Sequence, residues 1–257
     1  MDLNLSGKVA LVTGASRGIG RAIAEALASE GMKLALVARS GDLLEELAKS
    51  LSTECLAQAR DLREPDAPAG VIGNAVARFN RIDVLVNNAG ATERGDFLTL
   101  SDEAWGDGFA LKFFGAMRCC RAAWPHLKSS KGSIVNIVGI GGRTGSAEFT
   151  IGGSVNAALL NLTKALADRG LKDGVRVNAI NPGSIATERL QKRLERFASE
   201  QGIDHEQATQ RMAQAMGVSR FGDPSEIARA VAFLASPQSA YCHGAILDID
   251  GGQTRTL

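Results

Sequence analysis

Near the amino terminus the run KVALVT, ending at Thr13, passes directly into GASRGIG, from Gly14 to Gly20, and then into RAIAEALA. Apolar strand, glycine-rich turn, helix: no other feature limits the fold as strongly. Gly14 permits a tight turn, and Gly18 and Gly20 let the backbone come close to a phosphate. The helix that follows presents free N–H groups and the positive end of its dipole to an anion. A glycine pattern alone says little, but one set between a strand and a helix indicates a nucleotide-binding crossover.

The same alternation continues along the chain. Apolar runs at 34–38, 82–87, 133–138, 176–181 and 245–249, with a weaker one at 55–60, separate helical patterns at 20–29, 43–51, 71–79, 102–127, 154–169 and 225–234. Runs that are apolar throughout suit strands buried on both faces. Their alternation with helices predicts a doubly wound, mostly parallel sheet in three α/β/α layers. The 257 residues contain no linker, repeat or low-complexity stretch, so one domain is expected. One segment breaks the rhythm. Residues 188–216 are highly charged and interrupted by Gly202. They read either as a solvated helix pair or as a substrate lid, because inserts after the carboxyl end of a strand sit where α/β folds bind ligands.

Composition narrows the function classes. A net charge of +1 offers nothing to nucleic acid or to a membrane surface. Cys55, Cys119, Cys120 and Cys242 form no CxxC pair and have no histidine cluster beside them, so a metal site is not expected. No apolar run reaches the roughly 20 residues of a membrane span, and no signal peptide is evident, so a cytoplasmic protein without disulfides is expected.

The turn has the form TGxxxGxG, and with it the chain resembles the short-chain dehydrogenase/reductase family, in particular its 3-oxoacyl-carrier-protein-reductase-like members. The likeness runs from about Leu5 to Gly252. Asp61 and Leu62 resemble the family's adenine contact, and NNAG at Asn87–Gly90 its sheet-stabilising, cofactor-lining motif. NPGSIAT, from Asn181 to Thr187, resembles the segment that meets the nicotinamide carboxamide, and Asp250-Gly-Gly252 the closing pattern. The resemblance implies a Rossmann fold and a nicotinamide coenzyme touching Gly14, Ser16, Arg17, Gly18, Ile19, Gly20, Arg39, Asp61, Leu62, Asn88, Ala89, Gly90, Pro182, Gly183, Ile185 and Thr187. The second strand ends Val-Ala-Arg39-Ser40, without the carboxylate that accepts the ribose hydroxyls of NAD. Arg39, helped by Arg17, suits a 2′-phosphate, which favours NADP(H) over NAD(H).

The family resemblance also implies a Tyr four residues before a Lys on one helix, an earlier Ser and an Asn on the preceding helix. NAALLNLTKALA, from Asn156 to Ala167, fits the active helix and sets the register. It puts Asn156 at the Lys position, Gly152 at the Tyr position and Gly139 at the Ser position. Trp105 anchors a match that puts Lys112 at the Asn position. The chain has a single tyrosine, Tyr241, read as a packing residue beside Gly244, so no Tyr-x-x-x-Lys exists anywhere. The two glycines are expected to leave space where side chains stood. Lys112 and Asn156 have exchanged residue types, so Lys112 either reaches into the same region as a proton donor while Asn156 binds ribose, or is an ordinary exposed charge. Glu148, Thr150 and Arg143 are further candidates near the vacated site, whereas Ser154, His126, His205 and His243 are expected off it.

Two functions follow: an oxidoreductase exchanging hydride between NADP(H) and a carbonyl or alcohol substrate with atypical proton handling, or a weakly catalytic or non-catalytic NADP(H)-binding sensor or partner subunit. A third possibility keeps the coenzyme but takes its acid from the substrate or performs different chemistry. Either a homotetramer or a homodimer is implied by the resemblance, packed through the helices at 102–127 and 154–169.

Overall fold

The computed structural model describes residues 2–255. Seven strands, β1 (Val9–Thr13), β2 (Lys33–Ala38), β3 (Cys55–Ala59), β4 (Val84–Asn87), β5 (Ser133–Ile137), β6 (Arg176–Pro182) and β7 (Ile246–Ile249), form one sheet in the order β3-β2-β1-β4-β5-β6-β7. Every neighbouring pair is parallel. The helices between them are α1 (Gly18–Ser29), α2 (Gly41–Ser50), α3 (Ala67–Phe79), α4 (Asp102–Phe109), α5 (Ala116–Ser130), α6 (Thr150–Asp173), α7 (Glu188–Gln201), α8 (His205–Ala215) and α9 (Pro224–Ala235). A single α/β domain with helices on both faces of a parallel sheet is the architecture expected.

Strand alternation divides the core. Ala10, Val12, Leu34 and Leu36 face α1, α2 and α9 through Ile23, Leu27, Leu44, Leu47 and Val231. Val9, Leu11, Ala35 and Val37 face α3 and α5 through Val71, Ala75, Cys119 and Leu127. The five inner strands thus bury both pleat faces, and for this reason their sequences are mostly apolar, whereas the edge strands β3 and β7 are only partly buried. The order reverses between β1 and β4, so a crevice opens at their carboxyl ends, where doubly wound sheets take ligands.

Several boundaries differ from expectation for local reasons. The fourth apolar run starts at Ile82, but the ladder begins at Val84, because the Asp83 carboxylate accepts a hydrogen bond from the Val9 amide at 2.9 Å. The long helix expected over 102–127 contains a π-helical turn at Ala110–Gly115 and continues to Ser130. The helix expected over 154–169 starts four residues earlier, at Thr150, and runs to Asp173, where Gly174 takes a left-handed conformation with φ 71°. The charged stretch forms α7 and α8, separated at Gly202 (φ 62°). Tyr241 does not pack as expected; its side chain stands free in solvent.

Candidate active site

The glycine-rich turn has the geometry its sequence requires. Gly14 and Gly18 have φ of 66° and 54°, values that favour glycine. At Gly20 a Cβ would lie 2.0 Å from the Gly14 carbonyl and 2.5 Å from the Asn88 amide nitrogen. The protein's own packing of helix on turn thus already demands glycine there. Arg17 occupies the N-cap of α1 in extended conformation and makes no side-chain cap. The first-turn amides therefore have no side-chain acceptor at that cap and point out at the crevice, where an oxyanion would satisfy them.

NNAG at the end of β4 fastens the two halves of the sheet across the crevice. The Asn88 side chain donates to the carbonyls of Thr13 and Gly14, each at 3.1 Å. The backbone amides of Asn88 and Ala89 donate to the Thr13 hydroxyl. Asn87 donates to Asn136, which donates in turn to Thr163 on α6. The β6 segment lies opposite. Asn181 accepts from the Gly139 amide and donates to Asp248, and Ile185 bridges to Gly222. Thr187 packs beside Gly18, so α7 starts against the glycine-rich turn.

The cations foreseen at the adenosine end both have partners in this structure. Arg39 lies 4.0 Å from Asp61, with its side chain 66% exposed. Arg17 pairs with Glu188, the first residue of α7, at 2.6 Å. Asp61 accepts from Arg63, which also pairs with Asp107 on α4. Leu62 is buried.

Lys112 lies in the π-helical turn, where the extra residue per turn redirects side chains. Its stem crosses Gly90 so closely that a Cβ there would sit 2.9 Å from Lys112 Cδ. Its ammonium donates to the Val138 carbonyl at 2.5 Å. Although part of the residue's surface is exposed, the charged end is enclosed. Burial first, and then the charge of Arg189, lower its pKa from 10.5 to about 7. Asn156 is buried, and its Nδ2 lies 3.5 Å from the Gly139 carbonyl while its Oδ1 has no partner. Lys112 and Asn156 thus meet the same Val138–Gly139 segment. Gly139 itself has φ 130°, a conformation that a serine would adopt only under strain.

The space at Gly152 is not empty, which corrects the expectation of a vacated pocket. The ring of Phe149 lies directly over it. A Cβ at Gly152 would fall 2.1 Å from Phe149 Cζ, and one at Gly141 would fall 2.8 Å from Cε1. On the ring rests the Arg94 guanidinium, 4.1 Å from its centroid. Arg94 comes from the loop after β4. Sequence reasoning passed over both residues, since a lone aromatic or arginine in a loop has no periodicity to flag it. Of the other candidates, Arg143 pairs with Asp248 at 2.6 Å, Glu148 is exposed, and the Thr150 hydroxyl is buried without a partner. His243 meets the Ala167 carbonyl and His205 meets Gln191, both away from the crevice.

A seven-stranded parallel Rossmann sheet with a glycine-rich turn at its switch point defines a nucleotide-binding α/β protein. A family model described as enoyl-(acyl carrier protein) reductase matches residues 14–254. The 3-oxoacyl-[acyl-carrier-protein] reductase of Vibrio cholerae is 36% identical over 251 residues, covering 97% of this chain and 98% of the relative. The short-chain reductase protein NovJ of Streptomyces niveus is also 36% identical, covering 95% of this chain and 93% of that one. The crystal structure of L-sorbose reductase from Gluconobacter frateurii, complexed with NADPH and L-sorbose, superposes with a TM-score of 0.96 at 34% identity over 100% of both chains. The chain belongs to the short-chain dehydrogenase/reductase family. Among the described residues no group of side chains could hold a metal ion, and no helix is long and apolar enough to cross a membrane.

Proposed function

We propose that the protein is an NADP(H)-dependent oxidoreductase acting on a small carbonyl or alcohol substrate, with Lys112 as the proton-transfer group in place of the family's phenol. One observation carries this reading: Lys112 reaches the Val138–Gly139 segment with an enclosed ammonium whose pKa is lowered to about 7. A general acid is most effective when its pKa lies near the working pH, and a positioned one contributes about 10²–10⁴-fold. The bare first-turn amides of α1, the left-handed Gly14 and Gly18, and the unpartnered Asn156 Oδ1 fit a nicotinamide dinucleotide. The relative complexed with NADPH supports the phosphorylated form. Bound there, the coenzyme supplies or accepts the hydride.

The chain's own residues divide the remaining work. Gly14, Ser16, Gly18, Ile19 and Gly20 hold the diphosphate with backbone amides, while Arg17 and Arg39 take the 2′-phosphate. Asp61 and Leu62 contact adenine. Asn88, Ala89 and Gly90 line the floor, and Pro182, Gly183, Ile185 and Thr187 line the nicotinamide end. Asn156 accepts from a ribose hydroxyl through its free Oδ1. Gly139 and Gly152 stand at the family's Ser and Tyr positions, so Lys112 remains to deliver the proton. Helices α7 and α8 close over the substrate as a lid. By family resemblance α4–α5 and α6 pack a homodimer or homotetramer, which a solution mass measurement checks.

The test is a pair of titrations followed by turnover. NADPH is expected to bind more tightly than NADH, and a carbonyl panel to drive NADPH oxidation that falls about 10²-fold or more in Lys112→Met. Saturable NADPH binding with no oxidation across the panel would favour the second reading, a non-catalytic NADP(H)-binding sensor or partner subunit. The Phe149 ring over Gly152 favours that alternative, because it fills the place of the usual acid with hydrocarbon.

A further inference from the structure

The cations around the crevice differ in one respect. Arg17, Arg63 and Arg143 each have a carboxylate within 4.0 Å. Among the described residues, Arg94, Arg189 and Arg193 have none, yet they form a group. Arg94 projects from the loop after β4 and places its guanidinium over the Phe149 ring. Arg189 and Arg193 stand one turn apart on α7, and the Arg189 guanidinium donates to the Gly90 carbonyl at 3.2 Å, above the Lys112 stem. Burial first, then the charge of Arg193, lower the pKa of Arg94; Glu148 opposes them and Arg189 adds a smaller push in the same direction as Arg193. Three arginines with Glu148 as the one carboxylate acting on Arg94 carry a net positive charge, and such a patch attracts anions and concentrates them. The planar guanidinium is also the side chain best matched to the two oxygens of a carboxylate or phosphate.

We propose that Arg94, Arg189 and Arg193 form an oxyanion-binding subsite beside the Phe149 ring, so that the substrate is a carbonyl compound carrying a carboxylate or a phosphate. The substrate half of this statement rests on the oxidoreductase reading; the anion site does not. The subsite is assembled from two elements, the loop after β4 and the amino-terminal half of α7. An anion bound between them ties the lid helix to the sheet. Phe149 serves as the apolar floor under Arg94, and Lys112 lies within reach of Arg189's field, so the anchored anion also sits close to the proton-transfer group.

The experiment uses the full chain loaded with NADPH. Malonate and inorganic phosphate, neither of which can be reduced, are titrated calorimetrically into wild type, Arg94→Gln and Arg193→Gln, with folding of each variant checked by circular dichroism. One or both anions are expected to bind, and each substitution to weaken binding about tenfold, as befits a lost charged hydrogen bond. Preference for malonate or for phosphate identifies which oxyanion the substrate carries. Absence of binding by both anions, or binding that both variants retain, overturns the subsite. So does a matching loss of NADPH affinity in the variants, which would assign the arginines to the coenzyme diphosphate. In parallel, turnover of acetoacetate is compared with that of methyl acetoacetate. Anion binding with no NADPH oxidation across the carbonyl panel, carboxylate- and phosphate-bearing members included, leaves the subsite standing and removes the oxidoreductase reading; faster turnover of the ester in a chain that binds neither anion removes the subsite alone.

Discussion

Lys112 gives the sharpest consequences at the scale of single residues. Burial and Arg189 lower its pKa to about 7 from 10.5, so between those values the unfolded chain carries a proton that the folded chain lacks. Stability of the coenzyme-free protein is therefore expected to rise as pH increases from about 7 toward 10.5, and this rise should vanish in Lys112→Met. Denaturant midpoints at several pH values measure it. With Lys112 as the proposed proton donor, carbonyl reduction is expected to follow the opposite sign, its rate falling as pH rises through about 7, and alcohol oxidation, served by the free amine, to gain. A profile flat across that range would exclude Lys112 as the titrating group. Restoring the family's acid by Gly152→Tyr is expected to fail alone. Its Cβ alone would fall 2.1 Å from the Phe149 ring, so the variant loses stability by about 1–3 kcal/mol through overpacking. Removing the ring in the double variant Phe149→Ala, Gly152→Tyr is expected to recover part of that loss in a thermal melt.

Between elements, the contact of most interest joins the glycine-rich turn to α7. Arg17 and Glu188 pair at 2.6 Å with both side chains more than half exposed, so the bridge adds little to stability, about 0–1 kcal/mol. Its importance is competitive. Arg17 cannot give its full charge to a 2′-phosphate while it neutralises Glu188. Glu188→Gln is expected to tighten NADPH severalfold and to leave NADH unchanged, with a melting temperature close to that of wild type. Equal tightening of both coenzymes in fluorescence titrations would show that the pair governs entry to the whole crevice instead. The π-helical turn between α4 and α5 belongs to this scale as well. The sequence reads there as one uninterrupted helix, because a single extra residue per turn leaves the apolar spacing on either side intact.

For the whole molecule, the crevice depends on the two halves of the sheet being held in register at β1 and β4. Asn88 does this with two hydrogen bonds to carbonyls of Thr13 and Gly14. Asn88→Ala strands both acceptors in a partly buried place. It is expected to cost about 1–3 kcal/mol in urea unfolding and to weaken coenzyme binding in step. Unchanged stability would mean that the ladder alone holds the halves together. The fold as a whole was legible before any coordinates. Seven apolar runs, helical spacing between them and one glycine-rich turn lead to the observed sheet, because burial on both faces writes itself into every residue of a strand. The glycine-rich turn was legible for a related reason: Gly14 and Gly18 hold φ above zero, and a turn needing such angles must keep its glycines.

Beyond that, chain order stopped being informative. The sequence by itself determined that a Tyr-x-x-x-Lys pair is absent, that a glycine-rich turn joins the first strand to a helix, and that Arg39 rather than an acidic residue directly follows the second strand. Only the tertiary structure decided that Arg94 rests on the Phe149 ring, that Lys112 ends at the Val138 carbonyl, and that three arginines from a loop and a helix share one positive patch. The physical reason is one of range. Periodicity, turn chemistry and capping act between residues a few positions apart, and so they are recorded in local sequence. Phe149 meets Arg94, and Lys112 meets Val138, across gaps of dozens of residues, through packing that the folded sheet alone brings about.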